Sequence, residues 1–318
     1  MHIDVFNGDA DGICALIQLR LAQPQTATLI TGIKRDIQLL DRCTAKPGDF
    51  ITVLDVSLQA NSSRVNALLN QGAHIFYVDH HQPGTIPQHP HLTALIDTNN
   101  TTCTSLLVNQ HLNGKYPLWA ITAAFGDNLN HSAEQLAATL KLNQTQLETL
   151  LNLGIAVNYN SYGSCIADLH FAPDALYREM SAFQSPFDFI SDNPAIFTQL
   201  TQGYQQDMAN AQALTAEYRS AAVAVFILPD SIWARRVNGV FGNYLANLDP
   251  NRAHAVISHN PGNGYQISVR APLARKFGAG QLCAAFPSGG GREAAAGINH
   301  LPADQLAIFI KKFEAFYS

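Results

Sequence analysis

The sequence has little that points to a membrane, to secretion or to long nucleic acid. No apolar run approaches the ~20 residues that span a bilayer. The opening residues, Met1-His2-Ile3-Asp4-Val5-Phe6, lack the basic-then-apolar order of a signal peptide. The five cysteines (Cys14, Cys43, Cys103, Cys165 and Cys283) are odd in number, far apart and without a Cys-x-x-Cys pair. They read as reduced thiols, and a cytoplasmic protein is expected. The net charge of −5 gives no broad basic face for coating a polynucleotide. A small anionic substrate is compatible with it, because bound metal ions invert the local sign. Internal repeats and low-complexity segments are also absent.

What is there is a globular balance, 47 % hydrophobic and 14 % charged, over 318 residues, which suits two domains. Residues 2–6, 27–33, 50–54, 74–79 and 92–96 read as strands. Apolar residues at helical spacing over 13–21 and 61–71 read as helices, the second closed by Gly72. Strands alternating with helices predict a parallel, helix-covered sheet. From Thr101 to about 190 the chain reads as mostly helical. A single amphipathic helix is expected from Pro194 to Tyr218. Beyond it the strand signal restarts, with a hairpin of 253–258 and 265–269 around Asn260-Pro261-Gly262-Asn263-Gly264, and Ser288 to Gly291 reads as a Gly-rich loop. The expected division is residues 1–190, a connector over 191–219, and a smaller α/β domain over 220–318.

Acids and histidines gather where the apolar runs end. Asn7-Gly8-Asp9-Ala10-Asp11-Gly12 reads as a loop after the first strand, Asp55 ends the third, and Asp79-His80-His81 ends the fourth. Asp127 follows the apolar run 120–125. Taken singly, each reads as a turn or a helix cap. In a parallel sheet, however, all strand ends share one edge, where α/β folds place ligands. Carboxylates with one or two imidazoles suit Mn²⁺ or Mg²⁺. Asp9 and Asp11 would face different ions and a third carboxylate would bridge. Two ions about 3.5–4 Å apart are a standard device for splitting phosphate esters.

The ordered set Asp9-x-Asp11-Gly12, Leu54-Asp55, Asp79-His80-His81 and Gly126-Asp127 resembles the DHH phosphoesterases. Ile267-Ser268-Val269-Arg270 and Gly289-Gly290-Gly291-Arg292-Glu293-Ala294-Ala295-Ala296-Gly297 resemble the DHH-associated substrate domain. The resemblance implies two Mn²⁺ ions, one held by Asp9 and the other by Asp11, His80 and Asp127, with Asp55 between them. It implies that Asp79 orients an imidazole and that His81 meets the scissile phosphate. Arg270, Arg292 and the three glycines would grip the substrate's other end, with the two domains closing on it. Two positions depart from the pattern. Val5 stands where many members have histidine, and Asn7 stands where exonucleases of the RecJ type have aspartate; Asn7 would offer only a neutral oxygen to the first ion. In addition, Arg292 replaces the usual histidine.

The implied activity is hydrolysis of short oligonucleotides or dinucleotides to mononucleotides by a metal-activated hydroxide. Alternatives are a phosphatase acting on pAp, a cyclic dinucleotide phosphodiesterase, and a non-catalytic nucleotide sensor. A homodimer is in keeping with the family.

Overall fold

Strand β1 (His2–Phe6) is buried from Ile3 onward, as suits a strand covered on both faces. Its one charge, Asp4, accepts from Arg20 Nε at 2.8 Å, which offsets the cost of burying it. The computed structural model describes residues 1–260 and 263–318. They form two compact units, Met1–Gly203 and Tyr204–Ser318.

In the first unit β1 leads to α1 (Ala10–Ala22), β2 (Ala27–Ile30), β3 (Phe50–Leu54), α2 (Leu58–Asn70), β4 (His74–Asp79) and β5 (Leu92–Ile96). The sheet order is β2-β1-β3-β4-β5, and every pairing is parallel. Neighbouring strand residues face opposite layers. Phe6, Leu54 and Val78 pack with Ile13, Leu16, Ile17 and Trp119. Val5, Val53 and Tyr77 pack with Val65 and Leu68 of α2. Register places the acids. Phe6 pairs with Leu54 and Leu54 with Val78, so Asn7, Asp55 and Asp79 all follow one rung of the sheet.

The helical stretch consists of α3 (Thr104–His111), α4 (Pro117–Gly126), α5 (Asn130–Thr139), α6 (Gln144–Asn160), α7 (Pro173–Ser181) and α8 (Pro186–Asp192). Gly126 lets α4 end against α1 and α6. A Cβ there would lie 2.5 Å from the Cβ of Ala10 and 2.8 Å from the carbonyl of Gly154.

The helix expected to reach Tyr218 is shorter: α9 covers Pro194–Gln212. The chain beyond it is drawn into a sheet, where Glu217 N–H donates to the Val225 carbonyl at 2.9 Å. The second unit continues with β6 (Tyr218–Arg219), β7 (Val223–Ile227), α10 (Ile232–Leu248), β8 (Ala253–His259), β9 (Tyr265–Arg270), α11 (Ala279–Ala284), β10 (Gly289–Gly291), β11 (Ala295–Leu301) and α12 (Leu306–Tyr317). Its sheet order is β10-β11-β9-β8-β7-β6, parallel only between β7 and β8. The predicted β8–β9 hairpin is present; Pro261 and Gly262, expected in its turn, lie outside the described residues.

Two local expectations are corrected. Gly289–Gly291 is an edge strand paired to β11 rather than a loop. Glycine carries no strand preference, so only the neighbouring ladder selects this conformation. Asp11 lies in the first turn of α1, not in a loop, because Asp9 already caps that helix.

Candidate metal centre

Asp9 organises the start of α1. Its Oδ1 accepts from Asp11 N–H at 3.0 Å and from Gly12 N–H at 3.1 Å, the ordinary role of an N-cap carboxylate. Gly12 is fixed by close approach, since a Cβ there would lie 2.2 Å from the Asn7 carbonyl. The other oxygen of Asp9, Oδ2, is bonded by the ammonium of Lys34. Burial would raise the Asp9 carboxyl, but Lys34 and the cap bonds bring it down to about 2. Burial would likewise lower Lys34. The facing carboxylates, Asp9 foremost, hold it well above its usual range.

Asp11 is anchored from across the unit. Its oxygens accept from Thr104 N–H at 2.8 Å and from Ser105 N–H at 2.7 Å. These are the first amides of α3, whose N-terminal dipole favours a negative charge. Burial still raises the Asp11 carboxyl.

Asp55 takes a left-handed backbone conformation, φ 56°, which Asp tolerates better than most residues. Its Oδ1 is buried with no hydrogen-bond partner among the described residues. Burial, followed by the charges of Asp9, Asp11, Asp127 and Asp79, pushes its carboxyl well up. A buried acceptor ringed by other carboxylates calls for a cation.

His80 supplies the nitrogen at this point. Its Nε2 lies 3.4 Å from Asp55 Oδ1, 3.8 Å from Asp127 Oδ2 and 3.9 Å from Asp11 Oδ2. Ligand atoms of Asp11, His80 and Asp127 lie within 4.8 Å of one another, as do those of Asp55, His80 and His81. Donors about 2.1–2.2 Å from an octahedral ion stand roughly 3.0–4.3 Å apart. The set of carboxylate oxygens and one imidazole therefore fits a divalent cation such as Mn²⁺ or Mg²⁺.

Asp79 is fully buried and serves the histidines. Its Oδ1 meets His81 Nδ1 at 2.7 Å and accepts His80 N–H at 2.9 Å. That leaves the outer nitrogen of His81, whose side chain is 43 % exposed, for a ligand. Burial pulls the His81 imidazole down, but the Asp79 bond outweighs it, so the group is raised above its ordinary value.

Asp9, Asp11, Asp55, Asp79, His80, His81 and Asp127 are thus brought together. Asn7 lies beside them but is spent on the backbone: its Oδ1 accepts Asp9 N–H at 3.2 Å and its Nδ2 donates to the Lys34 carbonyl at 3.3 Å. Val5 is core. Sequence reasoning did not find Lys34 or Asn158, whose Oδ1 accepts from Lys34 Nζ at 3.1 Å. The only signal for Lys34 is its place in Gly32-Ile33-Lys34, just past a strand of the same sheet.

The expected substrate grip belongs to the second unit. The Arg270 guanidinium donates to Asn243 Oδ1 at 2.7 Å, Ser268 Oγ at 2.9 Å, Val269 O at 3.1 Å and Gly239 O at 3.3 Å. Arg292 is exposed. Two of the three glycines serve packing. A Cβ at Gly289 would lie 1.9 Å from the Cys283 carbonyl, and one at Gly291, φ 139°, would lie 2.6 Å from Ala296 Cα. Gly290 faces open space. In the first unit, Tyr159 is fully buried, its hydroxyl 2.9 Å from His170 Nε2.

No protein-family model matches the sequence, and no curated protein matches it. Solved structures do. The DHH domain of a member of the s1p family of ribosomal proteins aligns over 99 % of this chain and 85 % of its own, at 11 % identity and a TM-score of 0.66. The exonuclease RecJ bound to manganese aligns over 99 % of this chain and 90 % of its own, at 16 % identity and a TM-score of 0.65. A pGpG-specific phosphodiesterase from Vibrio cholerae aligns over 99 % of this chain and 100 % of its own, at 13 % identity and a TM-score of 0.55. The chain has the fold of the DHH-domain proteins.

Proposed function

We propose that the chain is a metal-dependent phosphodiesterase that hydrolyses short oligonucleotides or dinucleotides to mononucleotides. The observation that carries this reading is the unpartnered Asp55 oxygen facing His80, beside Asp11 and Asp127, with His81 at its border. A divalent ion, when bound there, lowers the pKa of water and offsets charge on a phosphate. Asp11, Asp55, His80 and Asp127 would hold it. His81 is the proton donor to the departing oxygen: Asp79 fixes its Nδ1 side, and the outer ring nitrogen delivers the proton. Asp79 is a positioning residue, fixing the ring as a carboxylate partner does in other histidine sites.

The second unit is proposed to bind the substrate away from the scissile bond, through Arg270, Arg292 and the backbone at Gly290. Arginine suits this role because its fork matches phosphate geometry. The printed functions of two structures with this fold, an exonuclease and a pGpG-specific phosphodiesterase, support the reaction class. The second covers a chain of closely similar extent and favours a short substrate.

The test is mononucleotide release from a labelled dinucleotide and from a seven-residue RNA, with Mn²⁺, with Mg²⁺ and with chelator. Metal-dependent cleavage, faster on the dinucleotide, is expected. Absence of cleavage of both, with metal bound, would refute the reading.

A further inference from the structure

We infer that the Lys34 ammonium occupies the place of a second divalent ion, so that this site holds one ion and completes its positive charge with a lysine. Four observations meet at Lys34. Most of the Asp9 carboxylate's acceptor capacity is already committed, because Oδ1 takes two amide protons of α1 and Oδ2 takes the ammonium. The neutral Oδ1 of Asn158 also accepts from the ammonium, at 3.1 Å.

Asp127 joins the two charges. Its Oδ2 lies 3.8 Å from His80 Nε2 and its Oδ1 lies 3.7 Å from Lys34 Nζ. One carboxylate thus faces the ion cluster with one oxygen and the ammonium with the other, as a bridging carboxylate faces two ions.

The main chain holds Lys34 in register. Its N–H donates to the Ser161 carbonyl at 2.9 Å, and its own carbonyl accepts from Asn7 Nδ2 at 3.3 Å. Asn7 therefore supports the lysine rather than a metal. Val5, two residues before it, ends in the apolar layer.

The charge logic is simple. An ammonium supplies one fixed positive charge and hydrogen bonds, and it stays when divalent ions are stripped. It cannot act as a Lewis acid. Lys34 remains 26 % exposed, so it can still donate to an anionic oxygen at the site. That catalytic consequence rests on the phosphodiesterase reading; the number of ions does not.

The experiment is a count. The full chain is loaded with Mn²⁺, freed of excess by gel filtration, and analysed for metal by mass spectrometry and for spin coupling by electron paramagnetic resonance. One ion per chain with an uncoupled signal is expected. Two ions with a coupled signal would overturn the inference, whatever the activity. Lys34→Ala, its folding checked by circular dichroism, should take up a second ion as Asp9 and Asp127 Oδ1 are released; a count still at one would remove Lys34 as the occupant. A chain that binds one ion and cleaves no nucleotide would sink the proposed function and leave this inference standing. A chain that binds no ion would sink both.

Discussion

At the scale of single residues, the proposed reaction assigns charge-holding and proton transfer to different groups. Asp55 and His81 differ in this way although their side chains are 3.8 Å apart. Asp55 is buried among acids; burial and their charges push its carboxyl well up, and a bound cation would relieve that repulsion. His81 is braced by Asp79 and partly open to solvent. His81→Ala should lower turnover by about 10²–10⁴-fold while leaving the bound metal in place, because general acid catalysis contributes on that order. Metal analysis beside the kinetics checks this, and loss of metal would recast His81 as a ligand. Asp79→Asn should act in the same direction with the metal retained. A change in KM alone would contradict the positioning role.

At the scale of elements, the site depends on where helices end. Asp9 caps α1, the first amides of α3 hold Asp11, and Asp127 caps the end of α4. None of these is a strand end. Gly126 is the residue that lets α4 arrive. Gly126→Ala should cost about 1–3 kcal/mol, the usual range for overpacking a tight contact. It should also weaken Mn²⁺ binding although no ligand is altered, which calorimetric titration and thermal melting together can read. Unchanged metal affinity would mean that Asp127 is not a ligand.

The glycine strand offers a second test at this scale. Gly291→Ala should destabilise by roughly 1–3 kcal/mol, because its φ of 139° suits glycine almost alone. Gly290→Ala should leave the melting temperature nearly unchanged, since its Cβ would meet nothing within 4 Å. If the backbone at Gly290 meets substrate, the same substitution should raise KM. Unchanged KM would assign that strand to packing.

At the scale of the whole molecule, two units carry separate sheets and separate cores. Each contains one tryptophan, Trp119 and Trp233, so single-tryptophan variants report each unit's unfolding. Their acid sensitivities should differ through His254 on β8. Burial pushes its imidazole down to about 4, and its Nδ1 has no hydrogen-bond partner among the described residues. The folded unit resists protonating it, whereas the unfolded chain accepts a proton near pH 6.5. Its contribution is therefore fully present above about pH 6.5 and is lost as pH falls towards 4. Urea unfolding followed by Trp233 should show stability falling over that window, and His254→Gln should flatten the fall. An unchanged slope would remove His254 as the cause.

The sequence by itself determined the parallel sheet, the strands that end in acids, the helical stretch and the second sheet's β8–β9 hairpin. Each is written in local periodicity and in residues that punctuate it, and local patterns survive without knowledge of distant neighbours. Asp55 and His80 were legible for the same reason, because register carries strand ends to one edge. Tertiary structure alone decided the rest. The helix expected to reach Tyr218 stops at Gln212 because pairing with β7 claims the chain, and Gly289–Gly291 becomes a strand because β11 offers a ladder. Lys34 reaches Asp9 across 25 positions of sequence and Asn158 across 124. No spacing rule links such residues; only the folded chain brings their charges together.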